Sequence, residues 1–327
     1  MPQISMAELL RESPVRLAPM ASFTNAPFRS VAVACGSGFT TNEEIDAEAL
    51  LAGNPWAAES ARTDLDPGVV AMQLLGSSAE TLVPAALRVV EAGADIVDIN
   101  MGCPVPKIVH RGKGAALMRD VTATGRILTA IRRAIDVPLT IKIRGGWDDS
   151  QPNAVEVARM AQDVGVDAIT VHPRTRSQRY GGRAPWDVIA EVVAAVDIPV
   201  TGNGDVTSLA EAMAMMAATG CQSVMVGRGA LGRPWVFDPA YEALSPEGRA
   251  AYETRAIAGH LDLIEGYFPP REALLQMKKQ LAQYGAGRAG ARGLRAELFG
   301  QASIPALRAT WARQEAEVLT GIEVAAG

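Results

Sequence analysis

The sequence contains few cysteines and few aromatic residues, and both shortages exclude classes of protein. Three cysteines, Cys35, Cys103 and Cys221, occur in 327 residues. Their odd number and wide spacing exclude a disulfide framework and a metal-ligand cluster, and they favour a reducing compartment. Aromatic residues account for 5% of the chain, whereas alanine and glycine are abundant. That composition suits helices packed closely against strands, and we expect no metal site.

Long apolar runs are also missing. Residues 1–16 lack the apolar core of a signal peptide, and no later run approaches the length of a membrane span. Hydrophobic residues make up 48% of the chain and charged residues 20%, as in ordinary soluble globular proteins. We therefore expect a cytoplasmic monomer with no membrane partner. The formal net charge of -5 argues against general coating of nucleic acid but leaves a local basic face open.

A dinucleotide-binding turn is missing as well, and this absence bears on the fold. Eight β-rich runs alternate with alanine-rich helical stretches, at residues 15–20, 39–44, 69–74, 95–100, 138–144, 168–172, 198–203 and 223–227. Such alternation predicts parallel βαβ units. An open doubly wound sheet would normally carry a G-x-G-x-x-G turn after its first strand, which this chain lacks. We predict an α/β protein with a (β/α)8 TIM barrel at residues 1–245 and a smaller C-terminal helical domain at residues 246–327.

Polar side chains collect at the carboxyl ends of the predicted strands, where barrels of this kind hold their chemistry. They are Gln73, Asn100, Cys103, Lys142, Arg144, His172, Arg174, Asn203, Asp205 and Arg228. Lys142 lies within an apolar run, where an unpaired charge is costly. Two explanations are open for it: a buried salt bridge across the barrel, or an anionic or electron-rich ligand at the barrel mouth.

Two glycine-rich turns, at residues 202–205 and 227–229, directly precede predicted helices. Their backbone N–H groups, a helix dipole and Arg228 favour a phosphate. Because no Walker or dinucleotide turn accompanies them, the pattern indicates a mononucleotide cofactor, and FMN fits. Lys142 would lie near the N1–C2=O edge of the flavin, and Gln73 would bond to its ring.

Cys103 lies just beyond a predicted strand end, in the stretch Asp98-Ile99-Asn100-Met101-Gly102-Cys103-Pro104. Gly102 and Pro104 stop the strand there. An unperturbed thiol has a pKa near 8.5 and is mostly protonated at neutral pH, so Cys103 can act as a general acid. Cys35 and Cys221 are instead expected to be small buried apolar residues.

As a set, these motifs resemble those of the tRNA-dihydrouridine synthase family, of the bacterial FMN-dependent type. The likeness covers the whole barrel, in order. It is carried by Leu17-Ala18-Pro19-Met20-Ala21, Asn25-Ala26-Pro27-Phe28-Arg29, Gln73-Leu74-Leu75-Gly76, Asp98 to Pro104, Lys142-Ile143-Arg144, His172-Pro173-Arg174-Thr175-Arg176, Asn203-Gly204-Asp205 and Gly227 to Trp235.

The resemblance implies reduction of the C5–C6 double bond of a specific uridine in tRNA, with FMN as cofactor and NADPH or NADH as electron donor. A hydride would pass from the flavin to C6, and Cys103 would give a proton to C5. FMN would contact Pro19, Met20, Ala21, Gln73, Lys142, His172, Asn203, Gly204, Asp205, Gly227 and Arg228. Substrate would contact Asn100, Arg144, Arg174, Lys278 and Lys279. One departure is Pro173, which replaces the family's usual glycine and removes a backbone donor beside His172.

The C-terminal segment is locally basic. Between Arg271 and Arg313, eight Lys and Arg residues face two Glu residues, an excess of six positive charges. A solvated helical surface and an RNA-binding face both fit this pattern, and the barrel mouth nearby favours RNA.

Two other functions remain open. An FMN-dependent oxidoreductase of a free pyrimidine or related small molecule would share the flavin site but leave the basic tail unexplained. A non-catalytic RNA-binding protein would bind no flavin.

Overall fold

The computed structural model describes the backbone of residues 5–288 and 290–326, and side chains as far as residue 317. Parallel strands form its centre, and most are short and buried on both faces. Their bounds are Val15–Leu17 (β1), Thr40–Thr41 (β2), Ile45–Asp46 (β3), Val70–Leu75 (β4), Ile96–Met101 (β5), Leu139–Arg144 (β6), Ala168–His172 (β7), Val200–Asn203 (β8) and Ser223–Val226 (β9).

The strands close into a ring. Neighbours pair in the order β2-β1-β9-β8-β7-β6-β5-β4, and β2 also pairs with β4. The short β3 continues alongside the end of β4, where Ile45 lies opposite Leu74. Eight strands therefore form a closed parallel barrel, and the predicted TIM barrel is confirmed.

Helices surround the barrel and continue beyond it. Their bounds are Met6–Glu12 (α1), Ala26–Ala34 (α2), Ala47–Leu51 (α3), Pro55–Ser60 (α4), Ala79–Glu91 (α5), Pro106–Val109 (α6), Val121–Ala134 (α7), Ala154–Asp163 (α8), Asp187–Val193 (α9), Leu209–Thr219 (α10), Pro246–Tyr267 (α11), Pro270–Tyr284 (α12), Ala291–Gly300 (α13) and Ile304–Ala326 (α14). Their ends follow local chemistry. Asn25 caps α2 by accepting from the N–H of Phe28, and Gly220 ends α10 in the left-handed conformation.

The second predicted strand is shorter than the run at residues 39–44 suggested. Asn42 explains the break, because its side chain forms hydrogen bonds with backbone groups of two other segments. Its Oδ1 accepts from the N–H of Gln73 at 2.6 Å, and its Nδ2 donates to the carbonyl of Ser60 at 3.0 Å. Such side-chain bonds compete with a strand ladder. The chain therefore turns after Thr41 and brings residues 43–44 to the barrel mouth.

Part of the barrel interior is polar. The guanidinium of Arg16 donates to the hydroxyls of Thr201 and Ser223, each at 3.2 Å, and to that of Thr170 at 3.5 Å. Burial lowers the pKa of Arg16 to about 9, while the nearby Asp98 carboxylate raises it. Hydroxyls thus bind both terminal nitrogens of this buried cation, and its Nε has no partner among the described residues.

The C-terminal helices α11–α14 have an apolar core of their own, built on Ile264, Met277, Leu281 and Leu307. Trp235 and Tyr241, which precede residue 246, also pack in that core. The division of the chain at residue 245 stays a prediction.

Helices α11 and α12 nevertheless lie against the barrel. The His260 ring of α11 stacks beside Phe28 of α2, with ring centroids 5.5 Å apart. On α12, Gln280 donates to the carbonyl of Phe23 at 3.3 Å, and Gln276 accepts from Asn25 at 3.4 Å. These contacts seat α12 beside the loop that follows β1.

Candidate active site

A cavity of about 850 Å³ opens at the carboxyl ends of the barrel strands. The carboxyl ends of parallel strands meet at one face of a barrel, which explains why the separate motifs converge. Fourteen of the residues predicted for the site line this cavity: Pro19, Met20, Ala21, Gln73, Asn100, Cys103, Lys142, Arg144, His172, Asn203, Gly204, Asp205, Gly227 and Arg228.

Three residues predicted to bind substrate lie elsewhere. Arg174 is 1% exposed and binds the Asp205 carboxylate behind the cavity wall. Lys279 lies over the ring of Phe23, which does line the cavity, at 5.7 Å from its centroid. Lys278 points away, towards the carbonyl of Phe299 in α13.

Asn100 fixes the loop that carries Cys103. Its Oδ1 accepts from the backbone N–H groups of Gly102 at 3.0 Å and Cys103 at 2.9 Å. Gly114 lies so close on the other side that a Cβ there would stand 2.9 Å from the Cys103 Cβ. Arg144, at the end of β6, also holds the loop, because its Nε donates to the carbonyl of Gly102 at 2.6 Å. The thiol is therefore held at one wall of the cavity.

The Cys103 thiol faces a carboxylate that the sequence pattern did not single out. Its Sγ lies 3.5 Å from Oε1 of Glu44, and Oε2 of Glu44 accepts from Nδ2 of Asn100 at 2.7 Å. Burial and the Glu44 charge raise the pKa of the thiol to about 12, against a lowering effect of Arg144. Burial likewise raises the pKa of Glu44. At neutral pH Cys103 is a protonated thiol.

A chain of hydrogen bonds links this wall to the barrel interior. Nδ2 of Asn100 also donates to Oε1 of Gln73 at 2.8 Å, and Nε2 of Gln73 donates to Asp98 at 2.7 Å. Asp98 accepts in turn from the hydroxyl of Thr140 at 2.6 Å. The side-chain amides of Gln73 and Asn100 are thus engaged within the protein, which orients both groups without a ligand.

Lys142 lies in the opposite wall and has little compensation for its charge. Its Nζ donates to Oδ1 of Asn203 at 2.9 Å, and no ion pair to it occurs among the described residues. Burial, then repulsion by Arg144, lowers the pKa of Lys142 to about 7, although Asp98 acts in the other direction. The buried salt bridge that we considered is not found at hydrogen-bonding distance, so the lysine faces the cavity ready for an electron-rich group.

His172 presents an unpartnered nitrogen in the same region. Its Nδ1 lies 3.1 Å from the carbonyl oxygen of Asn203, and its buried Nε2 has no partner in the part of the chain that the structure describes. Burial and the neighbouring cations Lys142, Arg144 and Arg174 lower the pKa of His172 well below its ordinary value. The ring is neutral, with Nδ1 donating to the carbonyl, which leaves Nε2 as an acceptor.

The two glycine-rich turns cross each other at the cavity rim. A Cβ on Gly229 would stand 2.4 Å from the carbonyl oxygen of Val206, so only glycine permits this approach. Asp205 is the last residue of the first turn. Its carboxylate accepts from Arg174 at 2.6 Å and from Arg228 of the second turn at 3.1 Å. Its side chain thereby aligns Arg228, whose guanidinium remains exposed.

Glu44, Tyr180 and Gln283 are among the cavity residues that the sequence did not mark as part of the site. Glu44 ends the second predicted strand, and the same strand-end rule could have found it. Tyr180 lies in the loop after β7, with its ring 4.7 Å from Arg228 and 5.7 Å from Arg144. Gln283 comes from α12. Nothing in the sequence near Tyr180 or Gln283 marks either residue, because only tertiary packing brings them to the cavity.

The basic segment is partly neutralised in three dimensions. Arg308 pairs with Asp262 and Glu265, each at 2.8 Å, and Arg313 pairs with Glu297. Arg288 lies 3.6 Å from Glu253. Among the described residues, no ion pair is found for Arg271, Lys278, Lys279, Arg292 or Arg295. These five, on α12 and α13, keep the unpaired positive charge.

Neither a metal site nor a membrane-spanning helix is found in the part of the chain that the structure describes. Within residues 5–288 and 290–317, no group of three or more His, Cys, Asp or Glu side chains could hold a metal ion. No described helix is both long and apolar enough to cross a membrane.

A closed barrel with a thiol, a half-buried lysine and two glycine-rich turns around one cavity defines an enzyme of the (β/α)8-barrel class. A profile of the family described as Dihydrouridine synthase (Dus) matches residues 16–309. The chain belongs to this family, as its motifs predicted. The family is one of flavin-dependent oxidoreductases, so the prediction of an enzyme of this kind is confirmed.

Two relatives cover most of the chain. tRNA-dihydrouridine synthase B of Xanthomonas campestris pv. campestris is 38% identical over 275 residues, which are 83% of this chain and 83% of that protein. A probable tRNA-dihydrouridine synthase of Rhodobacter capsulatus is 38% identical over 324 residues, which are 96% of this chain and 99% of that protein.

A solved structure shares the fold. Histamine dehydrogenase from Rhizobium sp. 4-9 aligns with a TM-score of 0.52 at 13% identity, over 77% of this chain and 49% of that one. This chain thus spans about half of the dehydrogenase.

Proposed function

We propose that this protein reduces a uridine in tRNA to 5,6-dihydrouridine, with FMN as cofactor and NADPH or NADH as electron donor. One observation carries the proposal: a protonated thiol and a weakly compensated lysine face each other across one cavity, in a chain of the dihydrouridine synthase family. A cytoplasmic monomer acting on tRNA is part of the same proposal.

The residues of the cavity fit a flavin mononucleotide. Nε2 of His172 is a buried acceptor without a protein partner, which suits a ring N–H. Lys142 offers a donor whose charge becomes favourable beside an electron-rich edge. Arg228 and the backbone of the two glycine-rich turns suit the phosphate. Because its carboxylate already serves two arginines, Asp205 would meet a phosphate through its backbone N–H.

Cys103 would supply the proton. When bound and reduced, the flavin supplies a hydride to C6 of the uracil. Proton addition at C5 completes the reduction, and it needs an acid that is still protonated at working pH. The thiol of Cys103 meets this requirement because its pKa is raised to about 12. Asn100 and Arg144 hold its loop in place, so we assign them to positioning as well as to the substrate.

The target base must leave the RNA stack to reach the cavity. Tyr180, which is 56% exposed at the rim, offers an aromatic face to an extruded base. The unpaired cations of α12 and α13 would hold the RNA backbone beside it. Lys279 lies nearest to this path, over the Phe23 ring.

The test compares Cys103→Ala with wild-type protein. We expect the variant to bind FMN and to accept electrons from NADPH, yet to lose most dihydrouridine formation on tRNA, read by mapping of the modified base. Cys221→Ala is the matched control, because this cysteine is 3% exposed and does not line the cavity. Full activity in Cys103→Ala would refute the proton-donor role, and a wild-type protein that binds no flavin would refute the proposal itself.

A further inference from the structure

Glu44 lines the cavity, and both of its carboxylate oxygens are committed to the loop that carries Cys103. Oε1 faces the Cys103 thiol at 3.5 Å, and Oε2 accepts from Asn100 at 2.7 Å. Asn100 in turn holds the backbone N–H of Cys103 at 2.9 Å. One carboxylate therefore contacts the thiol and also the residue that fixes the thiol's backbone.

We propose that Glu44 is a positioning residue that keeps the proton on the sulfur of Cys103. This role serves the function proposed above, although its geometry does not depend on that function. Both oxygens of Glu44 face hydrogen-bond donors, which favours the ionised carboxylate. Loss of the thiol proton would then set a second negative charge 3.5 Å away, in a site partly shielded from water.

The surrounding charges make such a residue necessary. A thiol beside lysine or arginine ordinarily loses its proton more easily and becomes a reactive thiolate. Arg144 and Lys142, both on β6, line the same cavity as Cys103. Burial raises the pKa of Glu44, and Glu43 and Asp46 of its own segment raise it further, whereas the hydrogen bond from the thiol lowers it. Glu44 is the group that opposes Arg144 at the sulfur, and it preserves the thiol as an acid.

The wild-type thiol supplies the first measurement. We would follow alkylation of full-length protein by iodoacetamide as a function of pH, and read it by mass spectrometry of the Cys103 peptide. Reading one peptide removes any contribution from Cys35 and Cys221. We expect the midpoint of the rate profile to lie above the ordinary thiol value of about 8.5. A midpoint at or below that value would overturn the proposal, even if no variant folds.

Glu44→Gln supplies the second measurement. In this variant Nδ2 of Asn100 should still donate to the side-chain oxygen at position 44. The NH₂ group of the amide would then face the sulfur of Cys103. Loss of the carboxylate charge together with a gained donor should lower the midpoint by about one to three pH units. At pH 8 the alkylation rate should rise about tenfold or more. An unchanged midpoint in Glu44→Gln would contradict the proposed role of Glu44.

Glu43→Gln is the matched control. It makes the same change of charge one residue away, but Glu43 accepts from the backbone N–H of Ser22 and not from Cys103. We expect the wild-type midpoint in this variant, and an equal shift in both variants would overturn the specific role. A site that merely opens would also lower the midpoint, because burial contributes to the raised pKa of the thiol, but it would raise the plateau rate of alkylation as well. A lower midpoint with an unchanged plateau is therefore the result expected for Glu44→Gln. Because alkylation needs neither flavin nor RNA, failure of this inference is distinguishable from failure of the proposed reduction.

Discussion

Two lysines flank the Cys103 site, one buried and one half-buried, and the chain compensates their charges in opposite ways. Lys113 is 0% exposed and donates to Asp46 at 2.7 Å, with Glu48 at 3.2 Å. Lys142 is half-buried in the cavity wall, and it has a neutral amide, Asn203, as its hydrogen-bond partner. Accordingly, burial lowers the pKa of Lys142 to about 7. Lys113 with its anions serves the fold, whereas Lys142, which lines the cavity without an anion, is available to something that the protein binds.

The position of each lysine fits this division. Lys113 ties the loop after Cys103 to the end of β3 and the first turn of α3. The next residues contact Cys103 itself, because the N–H of Ala115 donates to its carbonyl at 3.1 Å. Lys142 instead lies in a barrel strand and lines the cavity. The first lysine therefore holds the thiol wall in place, and the second offers its charge to the cavity.

The largest effect is expected for Lys113→Met. Removing the ammonium leaves Asp46 and Glu48 without their buried partner, and breaking a buried pair from one side typically costs about 3–5 kcal/mol. Because Glu48 is 41% exposed on its side chain, we expect the lower end, a loss of about 3 kcal/mol in the free energy of unfolding. Chemical denaturation of both proteins would measure it.

Arg111→Gln is the control for this variant. Arg111 binds the same Glu48 at 2.6 Å, but its own side chain is 57% exposed. Exposed pairs contribute about 0–1 kcal/mol, so this change should cost less than 1 kcal/mol. Equal losses of unfolding free energy in the two variants would show that the buried ion pairs of Lys113 stabilise the fold no more than the exposed pair of Arg111 does.

The sequence predicted one lysine of this pair and not the other, for a physical reason. Lys142 interrupts an apolar run at a strand end, so its burial can be read from neighbours in the chain. Lys113 lies in a glycine-containing basic loop, His110-Arg111-Gly112-Lys113-Gly114, which resembles a solvated surface. Its burial depends on acidic residues more than sixty positions away. Local pattern carries no information on such a contact.

The same distinction applies to the fold and to the tail. Alternating strand and helix runs predicted the barrel, because strand and helix periods are local properties. The excess of positive charge between Arg271 and Arg313 depends on where the counted segment begins and ends. Asp262 and Glu265 of α11, which lie outside that segment, bind Arg308 in three dimensions. Charge along a chain therefore predicts a basic face only where the partners are also local.

Lys142→Met should act in the opposite direction to Lys113→Met. Replacement of an uncompensated buried ammonium by an apolar side chain removes a desolvation cost, against about 1 kcal/mol for the lost bond to Asn203. We expect flavin-free protein to gain about 1–2 kcal/mol in unfolding free energy and to bind FMN at least tenfold more weakly, by denaturation and fluorescence titration. A variant that loses stability would place Lys142 in the same class as Lys113.

The gain from Lys142→Met should also depend on pH. The folded pKa of Lys142, about 7, lies below the ordinary value of 10.5. Above pH 7 the unfolded chain keeps a proton that the folded lysine releases, so wild-type stability rises with pH while the methionine variant has no such term. From pH 7 to pH 8 the difference in unfolding free energy between Lys142→Met and wild-type protein should narrow by about 1 kcal/mol, measured without flavin. A constant difference would show that the lysine does not titrate there.

The smallest effect on stability is expected for a half-buried cation that has no ion pair among the described residues. Lys279→Gln, beside Phe23 near the cavity, should change unfolding by less than about 0.5 kcal/mol. If it contacts RNA phosphate, the slope of log binding constant against log salt should fall by about 1. Arg313→Gln removes one charge from α14, but Glu297 of α13 already neutralises that charge. It should therefore leave the slope nearly unchanged, and equal slopes for the two variants would mean that total charge, and not the unpaired face of α12 and α13, governs RNA binding.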